Sequence, residues 1–333
     1  MKAVAVLKNL PLEDPACFVE IELPQPALGP QDLLVQVRAI SVNPVDYKVR
    51  RRPFAANDGP RVLGWDAAGT VLGVGAAVKN FKPGDEVFYA GDVTRPGANS
   101  ELHAVDERIV GRKPKNLGFA EAAALPLTAL TAWEGLFERL AVSVSVDANR
   151  GKKLLVIGAA GGVGSIAIQL GKLAGLQVTA TASRPETQDW CRQLGADLVI
   201  DHRDPQAFKQ AANSDFILNL ANTDQYWPLM AELIAPQGKI CCIVENEKPV
   251  DVNLLKSKSA TFAWEFMFTK AMFRTADMHT QGEILNQISS LADAGKIRST
   301  LAKTLDGLNA ENLRQAHRLL ESGRSIGKLV LTV

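Results

Sequence analysis

Between Gly158 and Gly164 the chain reads Gly-Ala-Ala-Gly-Gly-Val-Gly. Residues with no side chain, or only a methyl, let a backbone come close to a bulky anion. The preceding Lys153–Ile157 is an apolar run of strand length, and Gly164–Leu173 has helical spacing that stops near Gly175. A strand that passes through a glycine turn into a helix offers unpaired N–H groups and the positive end of a helix dipole. That is the chemistry of a dinucleotide pyrophosphate site. Ala160, Gly161, Gly162, Val163 and Gly164 are the candidate contacts. Ala159 stands at the first glycine position, which alanine tolerates if its φ stays negative.

In an NAD site an acidic residue about 20 positions further on holds the ribose 2′-hydroxyl. Here that point carries Ser183-Arg184. A carboxylate would repel a 2′-phosphate, whereas a hydroxyl and a guanidinium hold one with charge-assisted hydrogen bonds. The residues therefore favour NADPH over NADH, although a solvated loop arginine is the plainer account of Arg184. His202, just past the third strand, either packs near an adenosine or is a satisfied surface histidine. Val244, after a later strand, and Lys328, near the C-terminus, complete the candidate cofactor contacts.

These residues need elements to position them. At 333 residues the chain is long for one core, and two domains are expected. Hydrophobic residues at 47% and charged residues at 22% fit a packed globular protein rather than a disordered one. A net charge of +1 argues against a dedicated nucleic-acid binder. The local cluster Arg50-Arg51-Arg52 reads as a solvated loop. Cys17, Cys191, Cys241 and Cys242 form no metal-binding spacing, and the adjacent pair on a strand would face opposite ways. Reduced thiols and a cytoplasmic protein are expected. The N-terminal MKAVAVLKNL lacks a signal-peptide pattern, and no apolar run approaches the roughly 20 residues of a membrane span.

The first third reads as short strands punctuated by Gly and Pro: Asp32–Val42 with alternating Val35, Val37 and Ala39, then Asp66–Val74 and Glu86–Tyr89. That pattern predicts a small barrel or sandwich. Helical spacing takes over through Leu127–Leu140. Strand candidates Lys153–Ile157, Gln177–Ala182, Ala196–Ile200, Asp215–Leu220 and Lys239–Val244 then alternate with helices, one of which starts at Pro185 and ends at Gly195. This rhythm predicts an α/β fold, a doubly wound parallel sheet of the Rossmann kind. It breaks after about Trp264. Helices at Thr280–Ala294 and Ala310–Ser322 and strands at Ser299–Thr304 and Lys328–Val333 follow. The last strand is expected to return to the N-terminal β domain, making that domain discontinuous. The expected boundaries are 1–125 with 265–333 for the β domain and 126–264 for the nucleotide domain. Trp264–Phe268 with Met272-Phe273 is an aromatic and Met stripe, more often core than pocket, and otherwise a substrate wall or dimer surface.

The glycine loop, together with Ala124-Leu125-Pro126-Leu127-Thr128-Ala129-Leu130-Thr131-Ala132-Trp133, resembles the medium-chain dehydrogenase/reductase superfamily, in its quinone oxidoreductase branch. Phe81–Thr94 and Trp264–Met278 look more narrowly like bacterial zinc-type alcohol dehydrogenase-like proteins. The resemblance runs through the closing Ser322–Leu331 and implies a GroES-like β-barrel domain, a Rossmann NADP-binding domain and a homodimer. It also places Thr128 beside the nicotinamide, though an ordinary helix-start residue would look the same.

The zinc positions of the family do not read as ligands. Asn43 stands where a cysteine would be, and Gly64-Trp65-Asp66 replaces Gly-His-Glu. No cysteine lies between Asp85 and Glu121. No metal is therefore expected. Hydride transfer leaves negative charge on an oxygen, and without zinc another donor must meet it. Asn43-Pro44-Val45-Asp46-Tyr47-Lys48 resembles a stretch of the enone and quinone reductases. By that resemblance Lys48 would donate to the oxyanion, Asn43 would orient nicotinamide or substrate, and Tyr47 would donate a proton or line the pocket. A structural Asp46–Lys48 ion pair is the competing account. The expected activity is NADPH-dependent, zinc-independent reduction of quinones or α,β-unsaturated carbonyls. An alcohol dehydrogenase with a degenerate metal site and a non-catalytic NADPH-binding protein are the alternatives.

Overall fold

The computed structural model describes residues 1–55 and 58–333. It resolves into two compact units, one formed by Met1–Leu127 with Phe268–Val333 and the other by Thr128–Met267.

The first unit begins with β1 (Lys2–Val6), β2 (Val19–Glu22), β3 (Asp32–Ser41), helix α1 (Pro44–Arg50), β4 (Arg61–Val62), β5 (Ala67–Val74), β6 (Glu86–Tyr89), β7 (Leu102–Asp106), β8 (Val110–Arg112) and helix α2 (Phe119–Ala123). β1 lies between β2 and β4 in an antiparallel sheet. β3 is the spine of the larger sheet. One edge pairs along its length with β5, and the start of the other edge pairs with β7. Two register shifts opposite β5 interrupt that ladder, and such bulges bend a strand. The expected alternation in β3 is only half right. Leu33, Val35, Val37 and Ala39 are buried, but so are Leu34 and Ile40 on the opposite face.

The boundary between the units falls inside α3 (Pro126–Trp133). The sequence predicts one helix through Leu140, whereas the chain widens into a π-helical turn over Glu134–Arg139. The second unit continues with β9 (Lys153–Ile157), α4 (Gly162–Leu173), β10 (Gln177–Thr181), α5 (Pro185–Gln193), β11 (Leu198–Ile200), β12 (Ser214–Asn219), α6 (Thr223–Leu233), β13 (Ile234–Cys242) and β14 (Thr261–Trp264). All six strands are parallel, in the order β11-β10-β9-β12-β13-β14. This is the doubly wound order 3-2-1-4-5-6, with its switch point between the first and fourth strands. Leu155, Ile157, Ile217 and Ile240 pack on one face against Trp227 and Met230 of α6. β13 starts five residues before the expected Lys239, at Ile234.

The chain then returns to the first unit through α7 (Thr269–Met272), α8 (Thr280–Asp293), β15 (Leu301–Leu305), α9 (Ala310–Glu321) and β16 (Lys328–Thr332). β16 pairs antiparallel with the end of β3, Val330 opposite Ser41, so the terminal strand closes onto the N-terminal sheet.

Arg50 corrects the reading of the arginine cluster as solvated. It is 3% exposed, donating to Leu10 O and to Glu321 Oε1 at 2.8 Å, while Arg51 and Arg52 are exposed. All four cysteines are free and buried. Burial pushes the Cys191 thiol up to about 12 and Cys242 to about 11, so neither is nucleophilic near neutral pH. The aromatic stripe divides: Met267 and Phe268 are buried, whereas Trp264, Phe266 and Phe273 are exposed.

Candidate active site

β9 ends at Ile157, and Gly158 turns the chain with φ +79°, a conformation that favours glycine. Ala159 keeps a negative φ and is fully buried, which explains why alanine serves there. The turn is held by Thr181 at the end of β10. Its Oγ1 accepts from Gly158 N at 3.0 Å and its carbonyl accepts from Ala159 N at 3.3 Å. Sequence reading passed over Thr181, because nothing local links it to the loop. A Cβ on Gly164 would stand 2.4 Å from Ala159 O, so only glycine lets the first turn of α4 lie this close to the strand. Gly161 caps α4, and the backbone from Ala160 to Val163 is half-buried rather than sealed. The first N–H groups of a helix have no intrahelical partner. Their fit to a pyrophosphate is therefore geometric as well as compositional.

Other expected cofactor residues lie at the carboxyl ends of neighbouring strands. Ser183 and Arg184 follow β10. Arg184 is the N-cap of α5, with Pro185 at the first helical position, and its Nε lies 3.3 Å from the exposed Glu186 Oε1. His202, exposed, follows β11. Beside it Arg203 donates Nη2 to Ser183 O at 2.7 Å and grips Asp201 through Nε and Nη2. Arg203 is a second guanidinium at this mouth that the strand-end rule did not single out. Val244 follows β13 and its carbonyl accepts from Thr223 Oγ1. Thr128 is 2% exposed on α3.

In the first unit, Asn43 caps α1 and a buried network forms around it. Asp46 accepts from Asn43 N through Oδ2 and from Gly64 N through Oδ1 at 3.0 Å. Each carboxylate oxygen thus accepts from a backbone N–H. Lys328 Nζ donates to Val42 O at 2.9 Å, to Asn43 Oδ1 and to Asp66 Oδ2 at 2.9 Å. Asn43 Nδ2 also donates to Asp66 Oδ2 at 2.8 Å, and Asp66 Oδ1 accepts from Leu127 N at 2.7 Å. Burial raises the Asp66 carboxyl above its ordinary value, opposed by Lys328. Burial likewise pushes Asp46 up to about 7, opposed first by the Asn43 N–H. Asn43 and Lys328 are therefore brought together, but facing each other and Asp66. Tyr47 is half-buried, with the Arg51 guanidinium 5.2 Å from its ring centroid, and Lys48 is exposed. Next to Lys48 in the chain, Val49 lines a cavity of about 350 Å³ together with Arg52, Arg61, Trp65, Val93 and Thr94.

These residues do not fit a zinc ion. The Asn43 and Asp66 oxygens are filled by an ammonium, and the Trp65 indole, which can only donate, gives its N–H to Asp92 O at 3.1 Å. Among the described residues no group of three or more His, Cys, Asp or Glu side chains could hold a metal. Nor, among the described residues, is any helix long and apolar enough to cross a membrane.

A parallel sheet in this order, with a glycine turn at its switch point, defines the class of dinucleotide-dependent oxidoreductases. The alcohol dehydrogenase GroES-like domain model matches residues 29–134, and the zinc-binding dehydrogenase model matches residues 194–331. A zinc-type alcohol dehydrogenase-like protein of Staphylococcus aureus is 44% identical over 335 residues, covering 100% of both chains. A solved structure from Rhizobium etli assigned to the zinc-dependent alcohol dehydrogenases is 50% identical, with a TM-score of 0.94 over 100% of this chain and 98% of that one. The quinone oxidoreductase of Coxiella burnetii is 26% identical, with a TM-score of 0.82 over 100% and 99%. The chain belongs to the medium-chain dehydrogenase/reductase superfamily, among its zinc-type alcohol dehydrogenase-like members, with quinone oxidoreductases as structural neighbours.

Proposed function

We propose that this oxidoreductase is an NADPH-dependent, zinc-independent reductase of quinones or α,β-unsaturated carbonyls. The observation that supports the reading best is the mouth beyond β10, where Ser183, Arg184 and Arg203 gather and the two carboxylates nearby are each paired, Asp201 with Arg203 and Glu186 with Arg184. Two guanidiniums there favour a 2′-phosphate over a bare hydroxyl. The Lys328–Asp66–Asn43 network supports the zinc-independent half, since a fixed ammonium stands among the oxygens a metal would need.

NADPH, when bound, supplies hydride from its nicotinamide C4. The rest falls to the chain. The N-terminus of α4 binds and orients the pyrophosphate. Lys48 Nζ stabilises the oxygen that becomes negative, and Tyr47 Oη supplies the proton. Thr128 lies beside the nicotinamide, with His202 and Val244 along the rest of the cofactor. Asn43 and Lys328 act from behind, holding the start of α1 and hence the placement of Tyr47 and Lys48. The cavity, walled by Trp65, Val49 and Val93 on one hand and by Arg52, Arg61 and Arg95 on the other, suits a flat substrate that carries polar oxygens. A homodimer fits the exposed edge strand β14 with its half-exposed Trp264, and light scattering would show whether the chain pairs.

The direct test is a panel of quinones, enones and primary alcohols with NADPH and NADH, run with and without a chelator. Chelator-insensitive oxidation of NADPH by a quinone or enone is the expected result. Preference for NADH, or alcohol oxidation restored by one equivalent of zinc, overturns it.

A further inference from the structure

Helix α5 is tied to the glycine loop by a chain of hydrogen bonds. Trp190 donates Nε1–H to Ser165 Oγ at 2.8 Å. Ser165 Oγ donates to Gly161 O at 2.7 Å. The direction of this relay is determined by its first member. An indole N–H can only donate, so it takes a lone pair of the serine oxygen and leaves the hydroxyl proton for the Gly161 carbonyl. That carbonyl also receives Ser165 N at 2.9 Å.

The Gly161 carbonyl shares a planar peptide with the Gly162 N–H, and in a trans peptide the two point in opposite directions. Holding the carbonyl down toward Ser165 therefore aims the Gly162 N–H out of the N-terminus of α4, where an anion would sit. Packing does not set this plane. A Cβ built on Gly161 would meet only Gly158 O, at 3.7 Å, so the loop there is not wedged by packing. Hydrogen bonds must hold what packing does not. Ser165 is fully buried, which keeps water from substituting for its partners. The same helix α5 begins at Arg184, so one rigid element touches both ends of the candidate dinucleotide site.

We infer that Trp190 is a positioning residue for the cofactor: it orients the Ser165 hydroxyl, and through it the Gly161–Gly162 peptide that faces the pyrophosphate. This rests on the cofactor reading above.

Trp190→Phe keeps the ring and removes the donor, while Ser165→Ala removes the link. Each variant is expected to raise the NADPH Kd about three- to tenfold, the cost of one neutral hydrogen bond. The KM for NADPH rises in parallel, and kcat at saturating NADPH stays at the wild-type value. Because both residues act in one relay, the double variant should be no worse than the weaker-binding single variant. Ser165→Thr, which keeps the hydroxyl, should restore affinity to Ser165→Ala. Wild-type affinity in Trp190→Phe, or losses that simply add, overturns the relay. Titration with NADH in parallel separates the two proposals. A wild-type chain that prefers NADH removes the NADPH reading and leaves the relay measurable through NADH.

Discussion

Lys328 Nζ lies 2.9 Å from Asp66 Oδ2, with the two side chains 4% and 0% exposed. A buried ammonium gripped by a carboxylate, an amide oxygen and a carbonyl is stable only as a complete set. Lys328→Met should destabilise the protein by about 3–5 kcal/mol, because Asp66 and the Asn43 oxygen lose the partner that offsets their burial. Urea unfolding measures this. Lys328→Met with Asp66→Asn should cost less than the two single changes summed. A strictly additive double variant would show that the two groups do not compensate each other. Isothermal titration of the wild-type chain with zinc should show no stoichiometric site, since the ammonium already fills that set.

Asp46 spends one oxygen on each of two backbone N–H groups, those of Asn43 and Gly64. An amide side chain has a single acceptor oxygen. Asp46→Asn should therefore leave one buried N–H facing an NH₂ and cost about 1–3 kcal/mol in the unfolding midpoint. A stability equal to wild type would mean that the carboxyl is not serving both groups.

Arg184→Ala and Arg203→Ala should raise the KM for NADPH roughly ten- to a hundredfold and leave that for NADH within about twofold, as charge-assisted bonds to a phosphate predict. Arg203 is the sharper case, since its removal also frees Asp201 to repel a phosphate. Equal losses for both cofactors would place these arginines outside the 2′-phosphate subsite.

In the second unit Glu265 accepts from Arg139 Nε at 2.8 Å and faces the Glu134 carboxyl, with Cys241, Cys242 and Glu138 as further titratable groups around the cluster. Burial, reinforced by Glu134, pushes its carboxyl up to about 9. In the unfolded chain this carboxyl ionises near its ordinary value of 4.5, so the folded chain holds one proton more between those values. Stability must then fall as pH rises from about 4.5 to about 9, the contribution being whole only below that window. Glu265→Gln should flatten this slope. Urea midpoints measured across the window test it, and an unchanged slope in the variant would assign the proton elsewhere.

Lys48→Ala should lower kcat for quinone or enone reduction by about 10²-fold, with Tyr47→Phe giving a smaller loss that depends on pH. Full turnover in Lys48→Ala would remove the lysine from the chemistry.

Much of this was legible in the chain because it is local. The alternation of apolar runs with helical spacing specifies a parallel sheet, since strands buried on both faces read as continuous apolar stretches. The glycine turn is local as well: strand, loop and helix are contiguous, and Gly158 and Gly164 are required by one backbone turn and one close approach. Even the return of the last strand followed from its short apolar pattern. The polar interior was not legible. Lys328 and Asp66 are 262 residues apart, Arg50 and Glu321 are 271 apart, and Ser165 meets Trp190 across two helices. A buried charge looks in sequence like any surface charge, because its cost is removed by a partner that only the tertiary fold supplies. Thus the sequence by itself determined the two folds and the place of the glycine loop. The tertiary structure alone decided that Asn43 and Lys328 turn inward to each other, and that the loop is braced from Trp190.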